Sequence, residues 1–170
     1  MIRLEKFNEK LYDNLIAWVE SEEFLMQFAG PAFTFPLSPE QLDKSLKDPN
    51  RYAFSVIDTN TNQNIGYCEL YLKDNLFNLG RILIGDKKQR GKGMGQQIVT
   101  SLLDFGFKNF DRTIAELNVF DWNISAIECY KRVGFTVNSY KRSEREMKGE
   151  TWIAINMTLD KKKWKGCRNI

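Results

Sequence analysis

The sequence predicts a single-domain α/β protein with a mixed, mostly antiparallel sheet of about seven strands flanked by helices. Three observations lead there. Period-2 segments and segments with apolar residues at helical spacing follow one another as β-α-α-α-β-β-β-α-β-α-β-β along 170 residues. No repeat, low-complexity tract or linker rich in Pro, Gly or Ser divides them. A glycine- and lysine-rich loop in mid-chain receives a strand and sends out a helix, the connection of an α/β unit.

Ile2 to Lys6 predicts a short opening strand. Asn8 is placed to cap a helix whose Leu11, Leu15, Trp18 and Val19 share one face. Glu22 to Phe28 predicts a second helix, stopped by Gly30-Pro31. The segment AGPAFTFPLSPE, with three prolines and several apolar anchors, reads as an ordered loop. Ser38 as cap and Pro39 at the first helical position open a third helix. Tyr52–Ile57, Ile65–Leu72 and about Asn78–Ile84 predict a meander of three antiparallel strands with short polar turns. Met94, Ile98, Leu102 and Phe105 mark an amphipathic helix. Thr113–Phe120 predicts a strand, Asn123–Val133 a helix, and Thr136–Met147 a strand. Lys148-Gly149 turns into a last strand, Thr151–Leu159.

Composition excludes several function classes. With 42% apolar and 28% charged residues the chain belongs with globular proteins. No run approaches the roughly 18 apolar residues of a membrane span, and the charged N-terminus lacks the apolar stretch of a signal peptide. Three scattered cysteines without a CxxC predict reduced thiols in a cytoplasm. The absence of histidine removes Ser-His-Asp and Cys-His nucleophile systems, zincin chemistry and His-ligated metals, so no metal is expected. Proton transfer then falls to Asp, Glu, Tyr, Lys, Cys, a terminus or water. The net charge of +3 rests on the end of the chain, where KKKWKGCRNI holds five basic and no acidic groups. Residues 1–160 read as the domain and 161–170 as a basic C-terminal tail, solvated in the plainer reading. A nucleic-acid or membrane contact is the alternative for that tail.

The segment GDKKQRGKGMGQQ carries the most chemistry. Gly91, Gly93 and Gly95 let successive amides turn toward one centre, Lys87, Lys88, Arg90 and Lys92 add charge, and a helix N-terminus follows. Such a loop holds an anion, above all a pyrophosphate. Walker A fails, because Gly85 to Gly91 is one residue too long and Gly93 follows Lys92. The dinucleotide fingerprint fails because Gln96 takes its third glycine position. Arg90-Gly91-Lys92-Gly93-Met94-Gly95 does satisfy the acyl-coenzyme A pattern Gln/Arg-x-x-Gly-x-Gly/Ala.

With that loop and a second segment, LNVFDWNISAIECYKRVGF, the chain resembles the GNAT superfamily of N-acetyltransferases. The second segment carries Asn123, Ala126, Tyr130 and Gly134-Phe135 in the family's order, one helix and one strand after the loop. The resemblance runs from residue 1 to about 160. In style the N-terminal half is similar to ribosomal-protein N-terminal and spermidine acetyltransferases. It implies a GNAT-like sheet splayed at an acyl-CoA cleft, with acetyl-CoA as acyl-donor cosubstrate. The implied activity is direct acetyl transfer to an amine in a ternary complex. A non-catalytic acyl-CoA-binding or regulatory domain is the alternative.

The resemblance also assigns roles. Amides of Gln89, Arg90, Gly91, Lys92, Gly93, Met94 and Gly95 would hold the pyrophosphate. The backbone of Ile82, Leu83 and Ile84, on a bulged strand, would pair with the pantetheine arm and polarise the acetyl carbonyl. Asn123 would contact that arm as well as cap its helix; capping alone also explains it. Tyr130 would be the general acid for the departing thiolate, a phenol of pKa about 10 suiting a leaving group of similar basicity; a packed ring is the rival reading. Cys129 reads as a small buried residue pointing elsewhere. Where some relatives place a basic glutamate this chain has Arg81, so Glu69 and Glu116 are the candidates to act through water, each otherwise a structural carboxylate. Glu22 and Glu23, with Phe33 and Phe35, are the candidates to meet the acceptor, a small amine or a peptide N-terminus, the acids drawing its cation and the rings walling it. The chain is expected to be a monomer or homodimer, with no membrane partner.

Overall fold

The computed structural model describes the backbone of residues 1–168 and the side chains of residues 1–164. Seven strands form one sheet: β1 (Ile2–Lys6), β2 (Arg51–Asp58), β3 (Asn64–Leu72), β4 (Phe77–Ile84), β5 (Ile114–Phe120), β6 (Thr136–Met147) and β7 (Glu150–Asp160). Their order is β1-β2-β3-β4-β5-β7-β6, antiparallel at every step except β4 against β5. The helices are α1 (Tyr12–Trp18), α2 (Glu22–Ala29), α3 (Pro39–Leu46), α4 (Met94–Asn109), α5 (Ile124–Val133) and α6 (Lys161–Arg168).

Strand alternation sorts side chains into two cores. Val56, Cys68, Leu70 and Leu79 pack with Ile98, Leu102 and Leu103 of α4 and Ile127 of α5. Ala53, Tyr67 and Leu83 turn the other way and pack with Leu15, Leu25, Phe28 and Leu42 of α1 to α3. Burying each such leucine or isoleucine contributes about 1.5–3 kcal/mol. Gly106 lets α4 approach the sheet: a Cβ there would lie 2.5 Å from the Phe77 ring.

Two irregularities position the site. Tyr67 pairs with Leu83 and Glu69 with Gly80, so Arg81 and Ile82 of β4 oppose the single residue Cys68. Arg81 takes φ 49° to make this bulge. The parallel pairing of β4 with β5 stops at Leu79 and Leu117, although both strands run on. Beyond that point they part, and the sheet opens.

Local signals were met with small differences. Asn8 caps a 3₁₀ turn at Glu9–Leu11 ahead of α1, and the proline-rich loop holds a second 3₁₀ turn at Gly30–Ala32. Ser38 holds the N-cap position of α3 without a side-chain capping bond. The larger difference is the C-terminal segment read as a solvated tail. Its described part, Lys161–Arg168, forms α6, with Trp164 buried and its Nε1 donating to Asp104 at 3.3 Å, while Lys161 Nζ donates to the Phe107 carbonyl at 3.0 Å; residues 169–170 lie outside the described residues. One indole buried against the sheet outweighs the propensity of a lysine-rich segment to stay in water.

Candidate active site

The glycine loop hangs from the end of β4. Gly85 and Asp86 both donate backbone N–H to the Ile65 carbonyl, at 2.9 and 3.3 Å, and Asp86 Oδ1 caps the next turn through Lys88 N. The Trp18 ring lies so close on Gly85 that a Cβ there would sit 1.9 Å from it. Arg90 Nε donates to the Ile84 carbonyl at 3.0 Å, tying the loop back to its strand. Gly91 and Gly93 take φ of 75° and 76°, a region costly to any residue with a Cβ. Gly93 is the N-cap of α4 and has no side chain to offer it. In consequence none of the amides from Gly91 to Gln96 has an acceptor among the described residues. Six unsatisfied N–H groups at the positive end of a 16-residue helix fit the phosphates of a coenzyme A.

The gap between β4 and β5 is a cleft of about 880 Å³. The backbone of Ile82, Leu83 and Ile84 forms one wall, and Asn118 to Phe120 the other. Arg90, Gly91, Gly93, Met94 and Gly95 close one end, while Gln89 and Lys92 lie outside the lining. Asn123 lines the cleft and caps α5, its Oδ1 accepting from Ala126 N at 3.4 Å and Ser125 Oγ at 3.3 Å.

Tyr130 also lines the cleft, its ring edge-on to Phe135 at 6.3 Å between centroids. Its hydroxyl has no hydrogen-bond partner among the described residues. Burial, with a smaller effect from neighbouring Cys129, pushes the phenol well above its ordinary 10.0. Cys129 does not point away as expected. It lines the cleft, half-buried, because α5 packs on the start of α4, where a Cβ on Gly95 would be 3.4 Å from its sulfur. Burial raises that thiol's pKa too, against the Arg132 charge.

Glu69 lines the cleft and is fully engaged. Oε1 accepts from the Tyr67 hydroxyl and from Arg81 Nη1 at 2.8 Å, and Oε2 accepts from Arg51. Arg81 also donates to Ser45 Oγ at 2.9 Å and stacks over Phe33 at 4.2 Å. Glu116 stands outside the lining, buried between Lys73 and Lys141, with Asn156 Nδ2 donating to Oε2 at 3.2 Å. Burial alone would raise its pKa; the bonds to Lys141 and Lys73 outweigh it and hold the carboxyl below its usual value. Glu22 and Glu23 are likewise outside the lining and pair with Lys148 on the β6–β7 turn. Phe33 serves as the platform under Arg81, and Phe35 is exposed. Arg51, Tyr71, Asn78 and Arg145 line the cleft without any signal in the sequence that gathers them.

Among the described residues no helix is long and apolar enough to cross a membrane. Solved structures share the fold. A spermidine N-acetyltransferase from Vibrio cholerae, in complex with CoA and spermine, has a TM-score of 0.80 at 20% identity over 96% of this chain and 98% of that one. An aminoglycoside acetyltransferase, AAC(6')-Ib, in complex with coenzyme A and kanamycin, matches at TM-score 0.77 and 19% identity over 99% of both chains. A family model described as an acetyltransferase (GNAT) domain matches residues 2–136. Loop, parted strands and family match agree, and the chain belongs to the GNAT superfamily of acetyl-CoA-dependent N-acetyltransferases.

Proposed function

We propose that this chain acetylates an amine by direct attack within a ternary complex, with Tyr130 as the acid. The observation that carries this reading is the parting of β4 from β5 beside six unpartnered amides, with an unpaired phenol in the same cleft. Acetyl-CoA supplies the activated acyl carbon, at which an amine nitrogen forms a C–N bond as the C–S bond breaks. The amides of Gly91 to Gln96 hold its phosphates, aided by Arg90. The unpaired edge of β4 at Ile82 to Ile84 offers N–H donors to the pantetheine arm and the acyl oxygen. Tyr130 stays protonated through neutral pH and gives its proton to the departing sulfur; the amine's proton leaves to water, and the tyrosinate regains a proton from water. Asn123 fixes the start of α5 and so the position of Tyr130.

Glu69, with both oxygens committed to two arginines and a tyrosine, is a positioning residue that fixes the bulge. Glu116 organises Lys73 and Lys141. Direct transfer places no acetyl group on Cys68 or Cys129: Cys68 is inaccessible in the core, and burial raises the pKa of both thiols. The unpaired Cys68 and Cys129 support a reducing, cytoplasmic setting. The acceptor is a small amine-bearing molecule or peptide N-terminus, in line with the spermine and kanamycin that related structures hold. Thiol release from acetyl-CoA across a panel of amines, with mass detection of product, tests the reading. Cys129→Ala is expected to retain turnover, whereas an acetylated cysteine trapped in the wild type would replace direct transfer.

A further inference from the structure

The cleft away from the glycine loop holds more cations than its carboxylates neutralise. Among the described residues, and apart from Arg90 and Arg132, the basic residues lining it are Arg51, Lys73, Arg81 and Arg145, and Glu69 is the sole acidic one. Glu69 is shared by Arg51 and Arg81, and Glu116, behind the wall, by Lys73 and Lys141. Each of these two carboxylates therefore faces two cations. Asp48, outside the lining, reaches Arg51 only at 4.0 Å. Arg145 has no carboxylate partner among the described residues; its Nη1 donates to the Glu144 carbonyl at 2.7 Å. The floor also holds spare donors, since Arg51 Nε and Asn78 Nδ2 are shielded from solvent and unpartnered among the described residues. The acids before and at the start of α2 lie outside the lining, Glu20 paired with Lys87 and Glu22 and Glu23 sharing Lys148.

We propose that the acceptor carries an anionic group, a carboxylate or phosphate, on the same molecule as its amine, and that Arg145 selects for it. The inference rests on the acetyltransferase reading and narrows its substrate class. A polyammonium acceptor would add charge of the same sign to this wall. An anion neutralises it, and a guanidinium without a carboxylate partner matches a carboxylate or phosphate in a bidentate pair. The same excess of positive charge favours the uncharged form of a nearby amine. The free nucleophile is thus supplied in a site whose carboxylates are already committed.

Matched acceptors with acetyl-CoA and the full chain test this by thiol release. The pairs are dialanine against dialanine amide and phosphoethanolamine against ethanolamine, with spermidine and kanamycin as polycations. The anionic member of at least one pair is expected to exceed its neutral partner in kcat/KM by about tenfold or more, and the two pairs separate carboxylate from phosphate. Arg145→Gln is expected to cut that ratio by about tenfold, mainly through KM, and Arg145→Lys, which keeps the charge but loses the bidentate fork, to restore only part of it. Equal use of both members, or a ratio unchanged in Arg145→Gln, overturns the proposal. Turnover of the polycations alone overturns the anionic acceptor and leaves acetyl transfer standing. Turnover of no amine overturns both.

Discussion

Tyr130 and Glu69 sit in the same cleft in opposite states, one hydroxyl unpaired and one carboxylate saturated. Burial holds the phenol above 10.0, so it stays a proton donor throughout the neutral range. Tyr130→Phe is expected to lower kcat by about 10²-fold with CoA affinity unchanged, read by steady-state kinetics beside CoA titration. The sign of the shift also fixes the pH profile. The midpoint for loss of this proton lies above pH 10.0, so the wild-type kcat profile should show no alkaline midpoint from Tyr130 below that pH. A limb near pH 9 that vanishes in the Phe variant would keep Tyr130 as the acid but overturn the upward shift, whereas wild-type kcat in the Phe variant would remove Tyr130 from the assignment. Glu69 gives a stability prediction instead. Glu69→Gln leaves two guanidinium groups facing each other across a neutral amide, at a cost of about 3 kcal/mol, measurable as a lower urea midpoint.

At the scale of the element, the loop and α4 act as one anion-binding unit. Gly93→Glu places an L side chain at φ 76° and a carboxylate beside unpartnered amides. Position 93 is exposed, so the fold is expected to survive while CoA affinity falls by about 10²-fold or more, as read by calorimetry. Gly85→Ala tests the brace behind the loop. The added Cβ cannot share space with Trp18, and the expected result is a loss of about 1–3 kcal/mol together with weaker CoA binding. This unit was legible in the sequence because its requirements are local: positive φ, open amides and a following helix select glycine and basic residues within a few positions. Asn123 was legible for the same reason, as a cap judged against its own helix. Cys129 was misjudged because its surroundings come from α4, thirty-odd residues earlier.

Across the whole molecule, Glu116 links the edge of the cleft to β5, β6 and β7 through Lys73, Lys141 and Asn156. Its folded pKa lies below the unfolded value of 4.5, so its contribution to stability is complete above pH 4.5 and is lost as pH falls through the folded value. Urea unfolding followed between about pH 6 and pH 3 is expected to show this acid loss, and Glu116→Gln to flatten it. By itself the sequence determined the class of fold, the order of its elements, the glycine loop and the family, since periodicity, caps and backbone-strained turns are written residue by residue. Tertiary structure alone decided the rest. Pairing of β2, β3 and β4 brings Arg51, Asn78 and Arg81 around Glu69, although they are up to thirty residues apart in the chain. The β6–β7 hairpin then carries Arg145 to the same cleft and Lys148 to the acids of α2. The acidic pair that suggested a cationic acceptor shares Lys148 outside the cleft lining, and the reacting cleft is lined by cations instead. Charge along a chain can be counted, but the field in a cleft depends on which charges the fold brings within a few ångströms of one another.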